Sequence, residues 1–229
     1  MGSFEIATVG DNCIDRYLPP IGLATVGGNA VNVAVHLQRL GRCTAYFGAV
    51  GPDKAGAWTR ASLTENDVDI EHLVERRGRT AYTDLDVDAD GDRIIAFEDF
   101  GVCRGYRPSA AEIDLLRAAK HLHLGWLDDG GALKRRLAAG GVSISQDLAV
   151  NAGADRLAIA FASAGAVRPK PESRRWRWWT PPAPATPSSP LSSTRICAGS
   201  SSAPAWRLAA MPPPRPAATS AASPRPRSH

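Results

Sequence analysis

Proline sits almost entirely at one end of this chain, and that decides where a sheet can be built. Of its 18 prolines, 14 fall in residues 165–229. Proline donates no ladder hydrogen bond and fixes φ, so a segment this rich in it cannot supply central strands. The same residues hold 4 of the 6 tryptophans, ten Lys or Arg and one acid, Glu172, for a charge of +9. Residues 1–164 are left at −5, within a net charge of +4 for all 229 residues. The basic balance therefore belongs to the tail, and the body gives no electrostatic reason to expect nucleic acid. The tail is expected to be disordered, because its Pro, Ser and Ala cannot bury enough apolar surface to offset chain entropy.

The body reads differently. Phe4–Val9 is a short β-type run ending at Gly10. Residues 30–40 (AVNVAVHLQRL) place Val31, Ala34 and Val35 at helical spacing, and Gly41 stops the helix. Thr44–Val50 is strand-like, Ala55–Glu65 helical, Ala110–Ala119 helical and His121–Gly125 strand-like. Gly131–Ala139 follows as helix, then Val142–Asp147 and Leu157–Ala162 as strands. Strands separated by helices imply right-handed βαβ units and a mostly parallel sheet covered on both faces. One stretch breaks the rhythm: Thr80–Asp88 alternates, residues 89–92 (ADGD) are turn chemistry, and Arg93–Phe97 returns as a strand. This predicts a β-hairpin, either a lid over a cleft or an edge hairpin of the main sheet.

The four cysteines (Cys13, Cys43, Cys103 and Cys197) are widely spaced, with no C-x-x-C and no histidine at ligand spacing. That argues against a disulfide framework or a metal site and fits a reducing compartment. No apolar run approaches the ~18 residues of a membrane span, and no basic region precedes a long apolar one at the N-terminus. A cytoplasmic chain without a membrane partner is expected.

Two segments carry candidate chemistry. Residues 10–15 (GDNCID) follow the first strand, where ligands collect in open α/β sheets. Asp11 and Asp15 could accept hydrogen bonds from vicinal hydroxyls, or could simply cap turns. Residues 27–34 (GGNAVNVA) follow, with a glycine pair that permits close backbone approach and Asn29 and Asn32 three apart at a helix start. Carboxamides both donate and accept, which suits sugar hydroxyls, while a plain helix cap by Asn29 would need no ligand. Neither G-x-G-x-x-G nor G-x-x-x-x-G-K-[ST] occurs.

Taken together, Gly10-Asp11-Asn12, Asp15, residues 27–32 and residues 48–56 (GAVGPDKAG), in that order and spacing, resemble the ribokinase-like (PfkB) carbohydrate kinase family. The GDN opening with GGNAVNVA looks most like its fructoselysine 6-kinase branch, as do residues 140–147 and 161–164. The resemblance covers residues 4–164 and none of 165–229. It implies a three-layer α/β/α sandwich with a β-hairpin lid over residues 80–97, ATP with Mg as phosphoryl donor, and a sugar alcohol group as acceptor. It also implies substrate-binding roles for Asp11, Asp15, Gly28, Asn29 and Asn32, a cleft position for Asp147, and a possible homodimer through the lid. Ala149 and Val150 depart from the polar residues usual beyond that aspartate.

The family's late D-T-x-G-A-G-D segment supplies both an anion hole and the base that takes the hydroxyl proton. No G-A-G-D occurs in these 229 residues, so no catalytic residue is assigned. Tryptophan has one codon, so Trp178-Trp179-Thr180 forces TGGTGGAC, which read from the third base gives Val-Asp. Continued through Pro190, the same shift permits VDTTGAGDAFIA, the missing segment. The tail thus reads as a high-GC frame translated out of register, through an out-of-frame internal deletion, a pseudogene, or a sequencing or gene-model error, and the domain is truncated. Domain limits of 1–164 and 165–229 follow. An ATP-dependent sugar kinase by lineage is expected, inactive as written. A non-catalytic sugar-binding or dimerising remnant is the alternative, and the 174–179 run (RRWRWW) as a nucleic-acid or membrane-surface patch is a third.

Overall fold

The computed structural model describes residues 4–162 apart from Asp90 and Ala152. The expectations for 165–229 fall outside these residues. Six strands form an all-parallel sheet: β1 (Ile6–Val9), β4 (Thr44–Val50), β5 (Leu73–Glu75), β8 (His121–Leu124), β9 (Ile144–Asp147) and β10 (Ile159–Phe161). Their order is β10-β9-β8-β1-β4-β5. The helices are α1 (Asn29–Arg39), α2 (Lys54–Glu65), α3 (Ala110–Ala118) and α4 (Ala132–Ala138).

Alternation along the strands explains the layering. In β4, Ala45, Phe47 and Ala49 join Ile113 and Leu116 of α3 and Leu133 and Leu137 of α4 in one apolar cluster. Tyr46 and Val50 join Ala30, Val31 and Ala34 of α1 and Leu63 of α2 in another. Successive side chains on a strand point to opposite faces, so these two clusters are the two sides of one sheet. The expected three-layer α/β/α arrangement is present.

The four remaining strands form a second sheet, in order β3-β2-β6-β7: β2 (Cys13–Tyr17), β3 (Ala24–Gly27), β6 (Tyr82–Val87) and β7 (Arg93–Asp99). The expected hairpin is β6–β7, and it pairs with β2 rather than with the main sheet. Segments 13–17 and 24–27, to which the sequence reading assigned no element, are strands of this sheet. CIDRY offers only five residues with two charges inside, too short an alternation to stand out from a turn. Among the described residues no helix is long and apolar enough to cross a membrane.

Asp53 ties the two sheets at their junction. Its Oδ1 accepts from Gly56 N at 2.8 Å, capping α2, and from Thr80 Oγ1 at 2.6 Å; its Oδ2 accepts from Thr80 N at 2.9 Å. Burial pushes the Asp53 carboxyl up, but the hydrogen bonds from Thr80 and Gly56 more than offset it and leave it below the usual range. Asp53→Ala removes a cap and the anchor of the strand leading into β6. Urea unfolding of that variant should show a loss of about 1–3 kcal/mol.

Candidate functional site

Asp11 lies just past β1 and is only 9 % exposed. Its Oδ2 accepts from Asn29 N at 2.9 Å and its Oδ1 from Trp126 N at 2.8 Å. The side chain therefore caps α1 from outside the helix and pins the turn after β8 to the same point. Burial pushes its carboxyl up, against the backbone hydrogen bonds from Asn29 and Trp126 that pull it down. Of the two sequence readings for Asp11, the capping one describes its contacts. Asn12 is buried beside it and donates to the Ala49 carbonyl at 2.8 Å and to Tyr46 Oη at 3.0 Å.

Asp15 stands in the middle of β2, opposite Thr25 of β3 and Thr83 of β6. Cys13 Sγ donates to its Oδ1 at 3.1 Å. Its Oδ2 fills the space a side chain at Gly27 would need, since a Cβ there would lie 2.5 Å away. Burial pushes the Asp15 carboxyl up; the Cys13 hydrogen bond and the charge of Arg93 act the other way. Cys13 stays a thiol, with burial first and the neighbouring Asp15 charge second pushing it well up. Gly28 has φ 107°, and a Cβ on it would lie 2.6 Å from Asn12 Cα. Only glycine lets the chain turn there from β3 into α1.

Asn29 is the first residue of α1, with Gly28 as the cap and no side-chain cap bond. The side chain is therefore free for other partners: Nδ2 donates to Asp147 Oδ2 at 3.3 Å, and Oδ1 lies 2.7 Å from His123 Nε2. Asp147 closes β9, and its Oδ1 accepts from Ala149 N at 2.8 Å. Asn32 is half-buried on the next turn, and its carboxamide bonds to no described residue.

The structure thus brings Asn29 and Asp147 into contact and joins Asp11 to Asn29 through the backbone. Asp15 faces Gly27, two residues before Asn29, from the neighbouring strand of the same sheet. A cavity of about 320 Å³ adjoins this point and is lined by Trp126, Lys134, Gln146 and Asn151 among others. A larger one, about 730 Å³, lies along α2 and β5, away from these residues. Neither is lined by Asp15, Asn29 or Asn32. Sequence reasoning missed His123 and Ser145. Their signal was present: histidines 121 and 123 alternate with leucine in β8, and serines 143 and 145 alternate with Val142 and Ile144.

The pattern of pfkB family carbohydrate kinases matches residues 23–134. Fructoselysine 6-kinase of Escherichia coli (strain K12) is 37% identical over 120 residues, 50% of this chain and 45% of that protein. Fructosamine kinase of Bacillus subtilis (strain 168) is 34% identical over 97 residues, 42% of this chain and 34% of its own length. The aligned region thus spans less than half the length of either relative. Among solved structures, Arabidopsis thaliana ribokinase complexed with ribose and ATP superposes with a TM-score of 0.56 at 20% identity, over 63% of this chain and 53% of that one. A PfkB protein from Polaromonas gives 0.54 at 19% identity, covering 66% and 58%. At such identities the superpositions speak for the fold. Sequence pattern, strand order and second sheet agree, and residues 23–134 carry a pfkB family carbohydrate kinase domain pattern on a ribokinase-like fold.

Proposed function

We propose that residues 4–162 are the sugar-binding part of a kinase of the fructoselysine 6-kinase type, and that the chain as written binds sugar without phosphorylating it. The observation that carries the reading is Asp15: a carboxylate in the second sheet whose Oδ2 is left room by Gly27, beside the turn that delivers Asn29. Carboxylate oxygens accept from two hydroxyls, and the Asn29–Asp147 pair offers a donor and an acceptor to another. The β6–β7 hairpin would close over the sugar and exclude water. Asp11 and Gly28 serve this site by fixing the start of α1.

The nucleotide side is another matter. Among the described residues no three His, Cys, Asp or Glu side chains cluster to hold a cation. No G-A-G-D segment occurs anywhere in the 229 residues. The described residues therefore lack the G-A-G-D anion hole and base that such kinases use with ATP and Mg. Domain limits near 164 and an out-of-register tail belong to the same proposal, supported by the reading-frame arithmetic. A cytoplasmic setting fits a sugar kinase lineage.

The test is a pair of measurements on the full chain. Calorimetric titration with fructoselysine and with D-fructose should show binding, while transfer of phosphate from labelled ATP to either sugar should stay at background. Turnover at ~1–100 s⁻¹, ordinary for kinases, would overturn the second half of the proposal. A dimerising role has one observation in its favour. The outer side of the second sheet carries Arg16 stacked on Tyr82 at 3.7 Å beside Phe97, which is 52% exposed. Sedimentation velocity distinguishes a dimer from a monomer directly.

A further inference from the structure

Under the N-terminus of α1 runs a column of polar groups that the sugar-binding reading leaves unused. Ser143 Oγ lies 2.9 Å from His121 Nδ1, and His121 Nε2 lies 2.8 Å from Ser145 Oγ. Ser145 Oγ is 3.0 Å from His123 Nδ1, and His123 Nε2 is 2.7 Å from Asn29 Oδ1. The column ends at Asp147, reached by Asn29 Nδ2. His123 is 1% exposed and Ser145 3%. They lie in one register row with Thr8 across β1, β8 and β9, on the face of the sheet that α1 covers.

The carboxylate dictates the direction of every bond in the column, because an ionised carboxylate only accepts. Asn29 must turn its NH2 toward Asp147 and its carbonyl toward His123. His123 then donates from Nε2 and leaves Nδ1 bare to accept the Ser145 hydroxyl proton. Ser145 has one proton; with it placed on His123 rather than on the Leu122 carbonyl at 3.3 Å, its oxygen accepts from His121 Nε2. His121 Nδ1 in turn accepts from Ser143. One arrangement satisfies every member. Aliphatic side chains could fill this space without any such demand, but they could not tell one face of a carboxamide from the other.

We propose that His123 is a positioning residue for the sugar site: its Nε2–H holds the Asn29 carbonyl oxygen, with Ser145 and His121 completing the column behind it, so that Asn29 stays turned toward Asp147 and Asn29 Nδ2 and Asp147 Oδ2 clasp one sugar hydroxyl together. The inference rests on the sugar-site reading above. Because Ala149 N already occupies Asp147 Oδ1, the hydroxyl must use the remaining lone pair of Oδ2, beside the Asn29 bond, and approach between the two side chains. Burial, and secondarily His121, holds the His123 imidazole neutral by pushing it down to about 4, which keeps Nδ1 able to accept at physiological pH.

The experiment uses the full chain, titrated with fructoselysine and D-fructose, and ¹⁵N spectra of the imidazoles. His123→Leu should lose about tenfold or more in affinity. His123→Gln, whose amide nitrogen reaches where the imidazole Nε2 stands, should recover most of it. The spectrum of the unsubstituted chain should show His123 as the Nε2–H tautomer, and Ser145→Ala, which removes the donor to Nδ1, should move the Nδ1 resonance and weaken sugar binding. Equal affinity of the parent and His123→Leu, or an Nδ1–H tautomer in the parent, overturns the proposal while leaving the sugar site standing. Failure of the parent to bind either sugar overturns the site reading, and the clasp with it. Should His123→Leu not fold, Ser145→Ala and the tautomer decide.

Discussion

Asp15→Ala is expected to weaken binding of fructoselysine or D-fructose to this chain about a hundredfold, with little change in its urea midpoint. The carboxylate has one oxygen engaged by Cys13 and the other facing a position where Gly27 offers no side chain. That second oxygen, with the remaining lone pair of the first, is what two sugar hydroxyls would use. Hydrogen bonds to a charged group are worth about 1.5–3 kcal/mol each, so two of them lost correspond to roughly a hundredfold or more. Stability should move little because burial already pushes this carboxyl up. Removing it relieves a desolvation cost while forfeiting one thiol hydrogen bond. Asp15→Asn keeps the shape and one acceptor, and should fall between the two. Titration calorimetry reads all three. An alanine variant within about threefold of the parent would remove Asp15 from the site.

Asp15 also marks where sequence reasoning stopped short. The alternation of apolar runs and helical patterns across 4–162 located the main sheet's strands and all four helices to within a residue or two, except β5. Leu73–Glu75 is three residues long, and its pairing with β4 alone makes it a strand. The hairpin was legible too, because TAYTDLDVD alternates and ADGD turns. The sheet that receives the hairpin was not, since β2 and β3 are held by partners distant in sequence: Asp15 pairs with Thr83, and Arg16 binds Asp84 at 2.7 and 2.8 Å. No local pattern encodes a parallel pairing across almost seventy residues. The site divides the same way. Asn29 stood out through its glycine neighbours, whereas the role of Asp11 as an external cap appears only when Asn29 N and Trp126 N meet on one carboxylate. His123 was hidden by an assumption about strands: a buried parallel strand is expected to be apolar on both faces, and HLHL is apolar on one.

That polar face predicts how the chain responds to acid. His123 is buried neutral, pushed down to about 4 by burial and then by His121, and His121 itself is pushed down by burial. In the unfolded chain a histidine titrates near 6.5. Between these values the unfolded state binds more protons than the folded one, so lowering the pH through this window favours unfolding. For His123 the full effect is about 3 kcal/mol, complete near pH 4. Asp11 and Asp15 act in the opposite sense at the lower end: their carboxyls are pushed up, so the folded chain gains their protons first as pH falls toward 3.8. The histidine slope should therefore be clearest between about pH 6.5 and 5. Replacing His123 by glutamine leaves the hydrogen bond to Asn29 and removes the titration. Urea midpoints measured from pH 7.5 to 4.5 should drop steeply in the parent and much less in the variant. Parallel curves would mean that His123 titrates alike in the folded and unfolded chain, near 6.5, so that the Nε2–H, Nδ1-bare arrangement that aims Asn29 at Asp147 would already be lost just below neutral pH.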